Sequence, residues 1–126
     1  MPEIREATVR DLPDVMNVLD GAVLEADAAA VRDRIADDAV LVAVVGDDPE
    51  RVLGALVLDA DHIDAVAVRR RRRGQGIGTA LVEAAAERRD RLTAEFDADL
   101  GPFYEKLGFE VEPGEKAGRL RGERSP

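Results

Sequence analysis

The chain has 126 residues, a formal net charge of −9, no cysteine and one histidine. That length suits a single domain over residues 1–126 with a real core, and the charge argues against a nucleic-acid binder, which needs a basic surface. The absent cysteines and lone histidine exclude a disulfide framework, a thiolate nucleophile and a zinc site; no stretch approaches the roughly 20 apolar residues of a membrane helix, and the first residues lack a secretory pattern, so a cytoplasmic location is expected.

Lysine occurs only at Lys106 and Lys116, arginine supplies the other cations, and aromatic residues are few. Such an acidic surface fits a protein kept soluble by negative charge, and a halophilic source is expected.

In chain order, residues 3–7 read as a short strand. Thr8 and Asp11 have the spacing of a capping box, and apolar residues from Leu12 to Leu19 recur at helical spacing, so a first helix is predicted to about Leu24. A second helix is predicted over 28–36, with Val31 and Ile35 on one face. Residues 39–46, AVLVAVVG, form a continuous apolar run that suits a strand buried on both faces. A turn at 47–50 and a strand over 51–59 complete a hairpin, and a central strand follows at 62–68. A helix is predicted from Ile77 to about Arg91, with Ile77, Ala80, Leu81, Ala84 and Ala85 as its apolar stripe and Glu87–Arg91 as an outer-face pair. Residues 92–97 read as a strand, Pro102 opens a short helix that Gly108 ends, and a strand starts at Phe109. Residues 114–126 give a weak signal for one edge strand or a frayed end. The pattern is mixed α/β.

Between the central strand and the long helix lies RRRRRGQGIG, residues 69–78. A strand, a glycine turn and a helix N-terminus make an anion site from backbone alone, because the first helical N–H groups lack partners and the dipole is positive there. Gly74, Gly76 and Gly78 are each expected to tolerate positive φ and close approach of an anion, and Arg73 can add a charged contact. The spacing G-x-G-x-G is neither a Walker loop, which ends in Gly-Lys-Ser/Thr, nor the dinucleotide fingerprint G-x-G-x-x-G.

Arg73-x-x-Gly76-x-Gly78 resembles instead the acetyl-CoA signature of the GNAT superfamily of N-acetyltransferases. IREATVRDLPDV at the start is similar to that family's opening strand and helix, and PFYEKLGFE, residues 102–110, is similar to its second signature. The resemblance covers nearly the whole chain. It implies a GNAT fold, a mixed central sheet of six to seven strands flanked by about four helices. It also implies acetyl-CoA as co-substrate, with its pyrophosphate held by Arg73, Gly74, Gln75, Gly76, Ile77, Gly78 and Thr79, and its pantetheine arm paired with Val66, Ala67 and Val68. Arg69, Arg70, Arg71 and Arg72 exceed what the signature asks for; they meet the cofactor's 3′-phosphate or, the simpler expectation, are solvated.

The implied activity is transfer of an acetyl group to a primary amine by direct attack in a ternary complex. Tyr104 stands at the family's general-acid position, and a phenol with a pKa near 10 suits a departing thiolate; the other reading is that its ring packs under the cofactor and its hydroxyl only orients the sulfur. For the base, His62, Asp64, Glu95 or a water chain stay open, and a structural role is the simpler expectation for each side chain. Asp97 replaces an asparagine that contacts the cofactor in many members, which puts that contact in doubt. Residues 21–27 and the C-terminal tail, which usually shape the acceptor pocket, are short, which suggests a small or open acceptor site. The acceptor is a small-molecule amine or a peptide amine, a protein N-terminus or lysine, and the acidic surface favours a cationic one. Pairing through a sheet edge would allow a homodimer. No nucleic-acid, membrane or metal partner is expected, and the alternative function is a non-catalytic acyl-CoA-binding regulatory domain.

Overall fold

The computed structural model describes residues 2–21, 27–46 and 50–125. Its strands are β1 (Glu3–Glu6), β2 (Val40–Val45), β3 (Arg51–Asp59), β4 (His62–Val68), β5 (Leu92–Asp97), β6 (Glu110–Pro113) and β7 (Arg119–Arg124). The α-helices are α1 (Leu12–Gly21), α2 (Ala28–Ala36), α3 (Ile77–Arg88) and α4 (Gly101–Lys106). Among the described residues the strands form one seven-stranded sheet in the order β1-β2-β3-β4-β5-β7-β6. Every neighbouring pair is antiparallel except β4 and β5, which run parallel. This is the mixed α/β architecture that the resemblance implies.

The apolar run of β2 is divided between two cores. Val40, Val42 and Val44 face one side, where Val15, Val18 and Leu19 of α1 and Val31 and Ile35 of α2 cover them. Leu41 and Ala43 face the other side, under Ile77, Leu81, Val82 and Ala85 of α3. Both faces are therefore dry, which is why the strand reads as unbroken hydrophobics rather than alternation. Gly54 lets α3 come this close: a Cβ there would sit 3.0 Å from the Ala67 carbonyl oxygen, 3.2 Å from Ile77 and 3.2 Å from Leu81.

Local signals explain the helix starts. The Thr8 amide donates to the Asp11 carboxylate at 2.8 Å, and a 3-10 turn (Val9–Asp11) leads into α1. Asp27 caps α2 by accepting the Ala29 amide at 2.9 Å. The predicted extension of the first helix to Leu24, and residues 47–49 of the predicted turn, lie outside the described residues. Most of the short 21–27 segment does so too.

Two expectations need correction. The long helix stops at Arg88, short of Arg91, so the Glu87–Arg91 pair does not form; Arg91 instead meets Glu123 on β7 at 2.6 Å. The C-terminal segment is an inner strand: β7 pairs β5 on one side and β6 on the other, and β6 is the edge. The last strand is therefore not an open sheet edge among the described residues. Among the described residues no helix is long and apolar enough to cross a membrane.

Candidate active site

The site begins with a strand that leaves its neighbour. β4 and β5 are paired only at His62↔Thr93 and Ile63↔Ala94. On the other side of β4 the register shifts, with Val57 opposite Ala65 and Leu58 opposite Ile63, so Asp64 is the extra residue of a bulge. A bulge bends and twists its strand, and here the pairing with β5 ends at the same point. Val66, Ala67 and Val68 pair with β3 on one side and, among the described residues, have no strand on the other. Their outward backbone groups are left available for a ligand, as at an open sheet edge.

The split holds a cavity of about 600 Å³. Val66, Ala67 and Val68 form one wall, and Arg73, Gly74, Gly76, Ile77, Gly78 and Thr79 form its end. Phe103 and Tyr104 of α4 form the opposite lip. Of the cofactor-binding residues and the proton donor the sequence suggested, only Gln75 does not line it; that side chain is exposed. Two further residues line it: Arg72, for which a cofactor contact and solvation were both open, and Leu100, which was not anticipated. The available signal for Leu100 was a large apolar side chain beside Gly-Pro in a loop; it remains 46% exposed at the cavity rim.

The loop geometry is specific. Gly74 and Gly76 have φ of +78° and +81°, and a Cβ at either would meet nothing within 4 Å. These two glycines are therefore required by backbone conformation, and the space in front of them is open. Gly78 differs from expectation: it lies inside α3 without positive φ, and a Cβ there would make ordinary contact with Phe103 at 3.7 Å. Gly76 caps α3, and the first helical bond runs from the Ala80 amide to the Gly76 carbonyl at 3.0 Å. The N–H groups of Ile77, Gly78 and Thr79 therefore have no intrahelical acceptor and point out of the helix end, with the positive end of the dipole behind them. The set fits a phosphate group. Arg73 is exposed, with its Nε on the Val68 carbonyl at 3.3 Å.

The lip gathers every aromatic residue of the chain, three phenylalanines and one tyrosine. The Tyr104 ring stacks on Phe96 at 4.0 Å and meets the edges of Phe103 at 5.0 Å and Phe109 at 5.2 Å. Tyr104 is only 5% exposed, and burial pushes its phenol above the usual range. It is therefore protonated at neutral pH, and it borders the cavity. The described residues offer its hydroxyl no hydrogen bond.

The base candidates are elsewhere. His62 Nδ1 and Thr93 Oγ1 are 2.8 Å apart at the closed vertex of the split, roughly 20 Å along the strand from the loop. Asp64 is exposed at the bulge, and Glu95 is exposed on β5 opposite Arg121. None of the three lines the cavity. Asp97, at the asparagine position, forms an ion pair with Arg119 at 2.9 Å.

The parallel strands β4 and β5 separate over the glycine-capped α3, and comparison with known proteins identifies the family. Residues 36–111 match the acetyltransferase (GNAT) domain, and the chain belongs to that family. It is 37% identical over 67 residues to the peptidyl-lysine N-acetyltransferase YjaB of Salmonella typhimurium, a match covering 51% of this chain and 46% of YjaB. The chain thus spans about half the length of the curated relative it matches. Among solved structures, Rv2747 from Mycobacterium tuberculosis, in complex with CoA and NLQ, superposes with a TM-score of 0.82 at 20% identity, over 99% of both chains. The ribosomal-protein-S18-alanine N-acetyltransferase of Escherichia coli superposes with a TM-score of 0.76 at 16% identity, over 99% of this chain and 94% of that one. These neighbours share the GNAT fold.

Proposed function

We propose that this single domain moves an acetyl group from acetyl-CoA to a primary amine within a ternary complex. The observation that carries the reading is one cavity shared by three chemical parts: an unpaired strand edge, a helix-capping loop open to an anion, and a buried, protonated phenol. The loop from Arg73 to Thr79 holds the pyrophosphate, and Val66, Ala67 and Val68 hold the pantetheine arm by backbone pairing. The co-substrate supplies the activated thioester carbonyl. A free backbone N–H of β4 can donate to the carbonyl oxygen as it gains charge. The amine nitrogen forms the new bond to carbonyl carbon and the carbon–sulfur bond breaks. Tyr104 Oη gives its proton to the leaving sulfur, the attacking amine loses its proton to water, and the tyrosinate regains one from solvent. Holding both reactants in line supplies much of the rate.

The similarity to YjaB favours a peptidyl lysine as acceptor. That His62, Asp64 and Glu95 all lie outside the cavity favours water as the route for the amine proton; it is also what a non-catalytic acyl-CoA sensor would show. Thiol release from acetyl-CoA, measured with a panel of amines and lysine peptides, separates the two readings. Release that depends on an added amine is expected, and Tyr104→Phe is expected to lower kcat by about 100-fold with little change in acetyl-CoA affinity. Binding without amine-dependent release would favour the sensor, and an unaltered kcat in the variant would remove Tyr104 as proton donor.

A further inference from the structure

Four arginines of the run, Arg69 to Arg72, precede the glycine loop and line a different space. After β4 the chain makes a 3-10 turn (Arg70–Arg72), which carries the arginines toward the face of the sheet covered by α1. There they line a separate groove of about 800 Å³ together with Arg51 of β3. Five arginines, Arg51, Arg69, Arg70, Arg71 and Arg72, border this one space. Among the described residues Asp14 and Glu50 are the carboxylates on its walls, and Glu50 is already paired with Arg5 at 3.0 Å. Arg69 is anchored, its Nε donating to the Val52 carbonyl at 2.7 Å. Arg70, Arg71 and Arg72 make no ion pair with any described residue, although the chain carries 27 acidic side chains.

Guanidinium groups cannot relieve their mutual repulsion by losing protons. Crowding five of them around one groove is unfavourable until an anion enters, and the planar fork of arginine matches phosphate oxygens in pairs. We propose that this groove binds a phosphate-bearing ligand of small size. Small size follows from the whole-chain charge of −9. At physiological salt charges act over about 8 Å, so a compact polyphosphate senses the groove's own charges, in which the arginines outnumber Asp14 and Glu50, whereas a long nucleic acid would also run against the acidic remainder. Only Arg72 borders both this groove and the cavity at the α3 N-terminus. Phosphate could therefore come from a separate ligand or from the far end of the co-substrate reaching past Arg72.

Calorimetric titration with tripolyphosphate at low salt tests the site. Wild-type protein is expected to bind it, and Arg70→Gln with Arg71→Gln to weaken binding by about tenfold or more without change in the circular dichroism spectrum. Asp14→Asn, which removes the unpaired carboxylate from the wall, is expected to tighten it. Absence of binding, or equal binding by the arginine double variant, would overturn the proposal. Repeating the titration on protein saturated with CoA distinguishes the sources, and this arm alone rests on the proposed function. Unchanged binding identifies a separate ligand. Displacement by CoA that fails with 3′-dephospho-CoA identifies the co-substrate's own phosphate.

Discussion

Asp11 is the one charged side chain that is buried among the described residues, at 8% exposure. Both its oxygens are held by Arg5, at 2.8 and 3.0 Å, and the Thr8 amide donates a third bond at 2.8 Å. The Arg5 guanidinium holds this carboxyl below the usual aspartate range against the opposing effect of burial. A depressed pKa stabilises the fold at pH values above the unfolded value of about 3.9, and that contribution is lost as pH falls through the folded value. Asp11→Asn should cost about 1.5–3 kcal/mol near neutral pH, measured by urea unfolding. The gap between variant and wild type should narrow as the pH drops below about 4. A gap independent of pH would show that the carboxylate charge is not what matters. The Thr8–Asp11 half of this arrangement was readable from spacing. The Arg5 half was not, because it joins a strand to a turn through side chains that no local period relates.

At the scale of elements, the glycine loop shows how far a motif can be read. Its position between strand and helix was evident, yet the three glycines are not equivalent. Gly76 holds φ at +81°, while Gly78 is an ordinary helical residue. Gly76→Ala should therefore destabilise the protein by about 1–2 kcal/mol through left-handed strain. Gly78→Ala should stabilise it by roughly 0.5–1 kcal/mol through helix propensity, since its Cβ finds ordinary contact at 3.7 Å. Denaturant midpoints of the two variants moving in the same direction would contradict the assignment. The strands at 51–59, 62–68 and 92–97 were legible because each is a β-rich segment bounded by turn residues or a helix. β7 was not, because in its sequence RLRGER Leu120 is the one apolar side chain and Gly122 has none, while the other residues are charged. Gly122 sits there because a Cβ would press on Phe96 at 3.1 Å and Phe109 at 3.3 Å, so the strand's core contribution is a missing side chain. The early end of α3 is equally non-local: Arg89 donates to the Ala60 carbonyl at 3.1 Å and Arg91 reaches Glu123, partners far away in sequence.

For the molecule as a whole, the separation of β4 from β5 divides the sheet into two unequal parts. The β1–β4 part is covered on both faces, by α1 and α2 on one and α3 on the other. The β5–β7–β6 part contributes Leu92, Ala94, Phe96 and Phe109 to the α3–α4 core and nothing to the α1–α2 core. Its second face carries Glu95, Arg121, Glu112 and Glu123, all exposed to water. Among the described residues β4 and β5 are paired only at the two register positions of His62 and Ile63. Local opening costs least where apolar burial is least, so the two parts should differ in stability even though one core runs through both. Native-state hydrogen exchange in low urea is expected to show the slowest amides in β2 and β3, with β5, β7 and β6 opening together at a lower free energy. Uniform protection across the sheet would mean that the shared α3–α4 core alone governs cooperativity. The expected order ties the architecture to the proposed activity: the lip that carries Tyr104 belongs to the less protected part, so admitting a long co-substrate between the strands need not disturb the doubly covered part that positions the loop.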